Sequence, residues 1–210
     1  MKKTFGILVF IMLITTIIPM TVIAGDEENP EITDEMGDAF RNIDIKSVWF
    51  SEKLEEPDYL FVYMKVDNLR LNKIQQTFAV FWKYNGVQYA CGLFIGLHIL
   101  DWELWDAGEY INRAPGGGPN YVEIDKGTYD ISTGIITWKI PKEIIGDPEP
   151  EDVLTKTWSN AFQRYGLIGL AGFTRIIIDI LYNIVFRNSL WDYAPNDYHD
   201  DYGLDYIIQY

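Results

Sequence analysis

One cysteine, Cys91, in 210 residues excludes an intramolecular disulfide, so the fold is held by its core and by whatever ligands it binds. Cys91 has two readings: a nucleophile or intermolecular bridge, or the small buried strand residue that free cysteines commonly are. Histidine is nearly absent as well, with only His98 and His199. There is no H-E-x-x-H, no G-x-S-x-G elbow and no Ser-His-Asp order that stands out, which removes the familiar metalloprotease and serine-hydrolase machinery. Basic residues are scarce: 17 Lys and Arg face 31 Asp and Glu, and the formal charge of −14 repels nucleic acid and anionic headgroups. No Asn-x-Ser/Thr sequon occurs, so N-glycans are not expected.

What is present begins with an export signal. Lys2-Lys3 precede an apolar run from Phe5 to about Met20, and Val22-Ile23-Ala24 stand before Gly25 and a string of acids. This order describes a secretory signal peptide over residues 1–24, cut after Ala24. An uncleaved anchor is the alternative, because the run is near the length that spans a bilayer. Cleavage leaves 186 of the 210 residues, 25–210, a size suited to one domain, in which 15 bases face 31 acids for a formal charge of −16. Such a chain is expected to be secreted or held at the cell surface, and its acidity suits a protein that holds cations.

Strand patterns dominate the middle. Thr77–Tyr84 and Val87–Ile95 flank Asn85-Gly86, a dipeptide that tolerates the positive φ angles of a two-residue type I′ turn. Both runs are apolar on each face, which places this hairpin in the centre of a sheet. Ile43–Phe50 reads as a strand, Glu52–Asp58 as a polar turn, and Tyr59–Val66 as a strand with Leu60, Val62, Met64 and Val66 on one face and Tyr59, Phe61, Tyr63 and Lys65 on the other. Residues 97–105 read as a further strand, and Tyr121–Ile124 and Thr128–Ile131 as short ones. Ser132-Thr-Gly134 is a turn, Ile135–Ile140 returns as a hairpin partner, Pro141–Gly146 is one helical turn, and Tyr206–Tyr210 is a last strand. The fold class is therefore mainly β, an antiparallel sandwich.

Three stretches offer sites. Past a frayed acidic leader over Gly25–Pro30, acids around a glycine in the Glu31–Ala39 stretch, followed by Ile43-Asp44-Ile45, can converge oxygens on a hard cation such as Ca²⁺, although the spacing is not that of an EF-hand; a solvated acidic turn is the plainer alternative. Asp106–Asn120, with its Pro-Gly-Gly-Gly-Pro core, reads as a surface loop, and Trp102, Trp105, Tyr110 and Tyr121 around it offer flat rings for sugar or peptide, or else caps for the core. The acidic, tyrosine-rich stretch from Asp192 to Asp205, with His199, reads as a solvated loop or a second cation site.

The segment from Tyr165 to Phe186 stands apart. Arg175, Asp179, Asn183 and Arg187 recur every fourth residue and give a helix over Phe173–Phe186 one narrow polar stripe on an otherwise apolar surface. Twelve Leu, Ile, Val and Phe contribute roughly −6 kcal/mol toward bilayer insertion, while the central Arg and Asp cost about 3 kcal/mol each, so a transmembrane helix is not favoured. A helix packed on the sandwich is expected, with an interfacial helix, an oligomer contact and an extra strand pair as alternatives.

The succession of Asp34-Glu-Met-Gly-Asp38, Ile43-Asp-Ile45, Ile135-Ile-Thr-Trp138, Ile140-Pro-Lys142, Ile145-Gly146, Asp192-Tyr-Ala-Pro-Asn196 and Tyr202-Gly203 resembles secreted β-sandwich domains of archaea and bacteria. These are similar to family 9 carbohydrate-binding and DOMON-like modules. The resemblance implies a jelly-roll-like sandwich, often calcium-bound, acting as a non-catalytic binding or adhesion module for carbohydrate or a surface protein. It also implies that Asp34, Asp38 and Asp44 hold the ion. The chain departs from that pattern by carrying Glu35-Met36 where such turns often have proline, and by the 166–187 segment. Two further functions stand beside this one: an envelope-associated protein that uses residues 166–187, and in particular Phe173–Phe186, for membrane or homo-oligomer contact, and a glycoside hydrolase working with two carboxylates.

Overall fold

The structure is a computed structural model that describes residues 25–70, 75–96, 103–110, 120–125, 127–164, 191–195 and 202–210. Among these residues it is mainly β, with two antiparallel sheets and no closed barrel. The smaller sheet runs in the order β1 (Ile32–Thr33), β2 (Ile45–Lys53), β3 (Glu56–Val66), β9 (Ile135–Pro141), β8 (Thr128–Asp130). The larger runs β11 (Trp191–Ala194), β10 (Val153–Arg164), β4 (Gln75–Tyr84), β5 (Val87–Ile95), β6 (Glu103–Glu109), β7 (Asn120–Glu123), with β12 (Tyr206–Ile207) also paired to β10.

The hairpin expected at Asn85-Gly86 lies at the middle of the larger sheet, with Tyr84 paired to Val87 and φ of 48° and 78° at the two turn residues. Positive φ at both is what a right-handed twist asks of a two-residue connection, and glycine meets it without steric cost. Strand alternation then builds the interior. Leu60, Val62, Met64 and Val66 of β3 are buried as expected, opposite Phe78, Val80 and Trp82 of β4 and Cys91 and Leu93 of β5. Phe50 of the smaller sheet meets Trp82 of the larger edge to face at 5.8 Å, and Trp105 meets Trp138 in the same way at 6.1 Å, so the sheets stack face to face. On the outer side of the larger sheet Ala79, Phe81 and Ala90 form a second cluster with Tyr110 and Trp158.

The single helical turn expected after Ile140 is a 3₁₀ turn over Lys142–Ile145, closed by Gly146 in the left-handed region. Lys142 folds back to form an ion pair with Glu52 at 2.5 Å, with both side chains almost fully buried. Glu52 also accepts the Gln209 amide at 2.5 Å and the Tyr206 hydroxyl at 3.2 Å, which fastens the last residues to the sandwich.

Several sequence-based boundaries are corrected. The first long strand begins at Ile45, because Ile43 and Asp44 both donate to the Phe40 carbonyl and complete a turn. The polar turn is only Leu54-Glu55, since β3 begins at Glu56 and pairs it with Lys53. The loop expected from Asp106 begins later: Asp106–Glu109 belongs to β6, whose inward Ala107 continues the alternation set by Trp105. Asp192 is not in a solvated loop but in β11, and the last strand shortens to Tyr206–Ile207. The leader is not frayed: the Asp26 carboxylate accepts the amides of Glu28 and Asn29 at 2.8 and 2.7 Å, and Glu27 forms an ion pair with Lys65. The helix expected over Phe173–Phe186 lies outside the described residues. The described strands on either side of residues 165–190 are neighbours, Phe162 of β10 pairing with Trp191 of β11.

Candidate metal centre

The site forms where the N-terminal end of the smaller sheet meets the edge of the larger one. Asp34 follows β1, with its amide bonded to the Lys46 carbonyl at 3.1 Å. The chain then turns through Gly37, whose φ of 93° favours glycine, and presents Asp38 before Asp44 leads into β2. The turn is tied by the Gly37 amide donating to Asp44 Oδ2 at 2.9 Å and by Asp67 and Asn68 donating to the Asp44 and Arg41 carbonyls. From the other sheet, β11 points Asp192 inward, where its Oδ2 accepts the Ile45 amide at 2.5 Å.

One carboxylate oxygen from each of Asp34, Asp38 and Asp192 lies within 4.8 Å of the others. Oxygens on opposite sides of a single Ca²⁺ stand about 5 Å apart, so three ligands of one ion fit this spacing. Asp44 is 1 % exposed and adjoins the group. Neither side-chain oxygen of Asp34 has a hydrogen-bond partner, and Asp44 Oδ1 has none. Among the described residues the nearby bases Arg41 and Lys46 both pair with Asp67, at 2.5 and 2.7 Å.

The electrostatic consequence is large. Burial, reinforced by the charges of Asp192 and Asp38, pushes the Asp34 carboxyl up to about 8; the Glu35 amide opposes this but is not in bonding geometry. Asp192 is pushed up to about 7, again by burial first, with Asp38 and Asp44 adding to it against the Ile45 amide. Asp38 and Asp44 are raised in the same way. Asp38 is exposed, so the cluster opens to solvent on one side, and the repulsion among these partly desolvated acids is what a bound cation would relieve. The donors are all carboxylate oxygens, which fits a hard ion such as Ca²⁺ better than zinc, whose sites are built mainly on nitrogen and sulfur.

Of the sequence-nominated ligands, Asp34 and Asp38 are brought together and Asp44 stands beside them. Asp192 was missed. It lies 147 residues beyond Ile45, whose amide it accepts, and only the inward alternation of β11 aims it at the turn. Of the nominated rings, the two whose side chains are described, Trp105 and Tyr110, face opposite sides of the larger sheet. Trp105 is 2 % exposed and belongs to the core, stacked near Tyr129 and edge to face with Trp138. Tyr110 lies on the opposite, outer face of the same sheet, edge-on to Phe81 at 5.2 Å. Tyr121 is a β7 residue paired with Gly108, and Trp102 and both histidines lie outside the described residues. Cys91 is buried, its thiol raised by burial and by Asp106, which suits a core residue and not a nucleophile. Comparison with family models, with curated proteins and with solved structures finds no match.

Proposed function

We propose that this chain is a secreted or cell-surface, non-catalytic binding or adhesion module, a jelly-roll-like sandwich whose N-terminal turn is stabilised by Ca²⁺ bound to Asp34, Asp38, Asp44 and Asp192. The observation that carries the reading is Asp34, whose two buried oxygens have no hydrogen-bond partner while three further carboxylates surround it. An ion there would join β1, β2 and β11 and so tie both sheets together. Its place outside the cell follows from the signal peptide expected before Gly25, and extracellular modules meet calcium at concentrations that even weak sites can use. The resemblance to carbohydrate-binding sandwiches supports sugar as the ligand. Among the nominated rings Tyr110 is partly exposed, and Tyr59 and Tyr63 on the outer face of the smaller sheet offer additional ones. A helix over Phe173–Phe186, inserted between β10 and β11, completes the proposed architecture.

The test is a calcium titration followed by thermal unfolding. A ligand that binds the folded state alone raises its stability with concentration. The midpoint is expected to climb with micromolar to millimolar Ca²⁺ and to respond much less to sodium at equal ionic strength. Equal responses to the two salts would remove the site.

A further inference from the structure

The first described residue, Gly25, is buried, and so is the carboxylate it lies against. Glu31 is 7 % exposed, and its Oε2 accepts the Phe50 amide at 2.9 Å. A Cβ placed on Gly25 would overlap both carboxylate oxygens of Glu31, so a larger residue there would push that side chain aside. The approach is built from both sides. The turn held by Asp26 folds residues 26–29 back toward β1, and the Glu31 carbonyl accepts the Leu204 amide at 2.6 Å, which holds the acid from behind.

We infer that cutting the chain after Ala24 creates an ion pair in the fold: the α-ammonium freed at Gly25 sits beside the buried Glu31 carboxylate and locks the N-terminal turn onto the sandwich. No described base pairs with Glu31 in the ion pairs of the structure, where Lys65 goes to Glu27 and Lys142 to Glu52. Burial accordingly raises the Glu31 carboxyl to about 7, with Asp26 adding to the effect and the Phe50 and Gly25 amides opposing it. Among the described residues the other titratable group facing it is the Tyr206 hydroxyl of β12, which is uncharged at neutral pH. In the uncut chain the Gly25 nitrogen is an ordinary amide, able to donate one hydrogen bond but carrying no charge. After the cut it carries a full charge and three donors at the same place. Removal of the leader thus does more than release the chain: it supplies the partner of a buried acid. This inference does not rest on the calcium reading, because Glu31 is not a member of the aspartate cluster.

The direction with pH follows from the pair. The folded amine is held above its ordinary value of about 8, so the stabilisation is present below that value and is lost as pH rises through the folded one. At the acid end it is lost when Glu31 takes up a proton.

The experiment compares two otherwise identical chains, one beginning at Gly25 and one beginning at Ala24, both in EDTA so that calcium plays no part. The chain beginning at Gly25 is expected to have an unfolding constant about tenfold smaller at pH 7, and the gap is expected to close at high pH and in the Glu31→Gln background. The α-amine titration, followed by NMR on the Gly25 chain alone, gives a readout that survives if Glu31→Gln does not fold; a shift of about one unit above the ordinary value is expected. Equal stability of the two chains, a gap unchanged by Glu31→Gln, or an ordinary amine titration would overturn the inference. So would an exported protein whose first residue is not Gly25.

Discussion

Replacing Asp34 by Asn should stabilise the metal-free protein at pH 8 and abolish its response to calcium. The first effect follows from repulsion. Two unit charges 4.8 Å apart, the outer spacing among Asp34, Asp38 and Asp192, repel by about 3.5 kcal/mol at an effective dielectric of about 20. Burial first, and this repulsion in addition, favour protons on the cluster and raise Asp34 to about 8 and Asp192 to about 7. Because these values lie above the unfolded value near 4, the folded state binds more protons than the unfolded one between about pH 4 and 8, and the metal-free protein loses stability as pH rises through that window. Asparagine keeps the shape and removes a charge, so the gain should be present at pH 8 and absent near pH 4. Calcium works in the opposite sense, since it needs the deprotonated acids and its contribution grows with pH. At one hundred times its dissociation constant it contributes about 2.7 kcal/mol, which for a domain of this size is roughly 5 to 10 °C in Tm. Calorimetry of parent and Asp34→Asn, each in EDTA and in calcium and each at pH 5 and pH 8, checks every combination. If the variant is less stable than the parent in EDTA at pH 8, or gains as much from calcium, the reasoning fails.

Gly86 and Gly134 both have positive φ, 78° and 76°, but a Cβ at Gly86 meets nothing within 4 Å whereas one at Gly134 runs into the Val66 carbonyl. Gly86→Ala should therefore cost about 1 kcal/mol, and Gly134→Ala clearly more, by urea unfolding; equal costs would count against the placement of the second turn. Lys142→Met leaves Glu52 charged and buried, and should cost about 3 to 5 kcal/mol and increase amide exchange at Gln209 and Tyr210; an unchanged unfolding midpoint would contradict the burial of this pair. Trp105→Ala should cost about 3 to 5 kcal/mol as a core truncation while leaving any sugar affinity of the folded fraction intact, whereas loss of sugar affinity at unchanged stability would make it a contact residue after all.

Much of the local architecture was written in the chain. The two-residue turn at Asn85-Gly86, the alternation of β3 and the glycine-closed turn after Pro141 depend on φ preferences and on period-two patterning, both of which act within a few residues. The acids of the first turn were legible for the same reason, since Asp34, Asp38 and Asp44 are close in sequence and a glycine sits between them.

What the sequence withheld depends on which strands become neighbours. Trp105 reads the same whether it caps a loop or fills a core, and the difference is decided by β6 pairing with β5, which turns that side of the strand inward. Asp192 looks like one more acid in an acidic stretch until β11 pairs with β10 and brings it to Ile45. Glu31 and Gly25 stand near each other in sequence, yet the burial that gives their contact its force comes from β2, through Phe50, and from the returning chain at Leu204. A carboxylate's charge is a property of its residue, but its cost depends on the water left around it, and only the packing of distant strands removes that water.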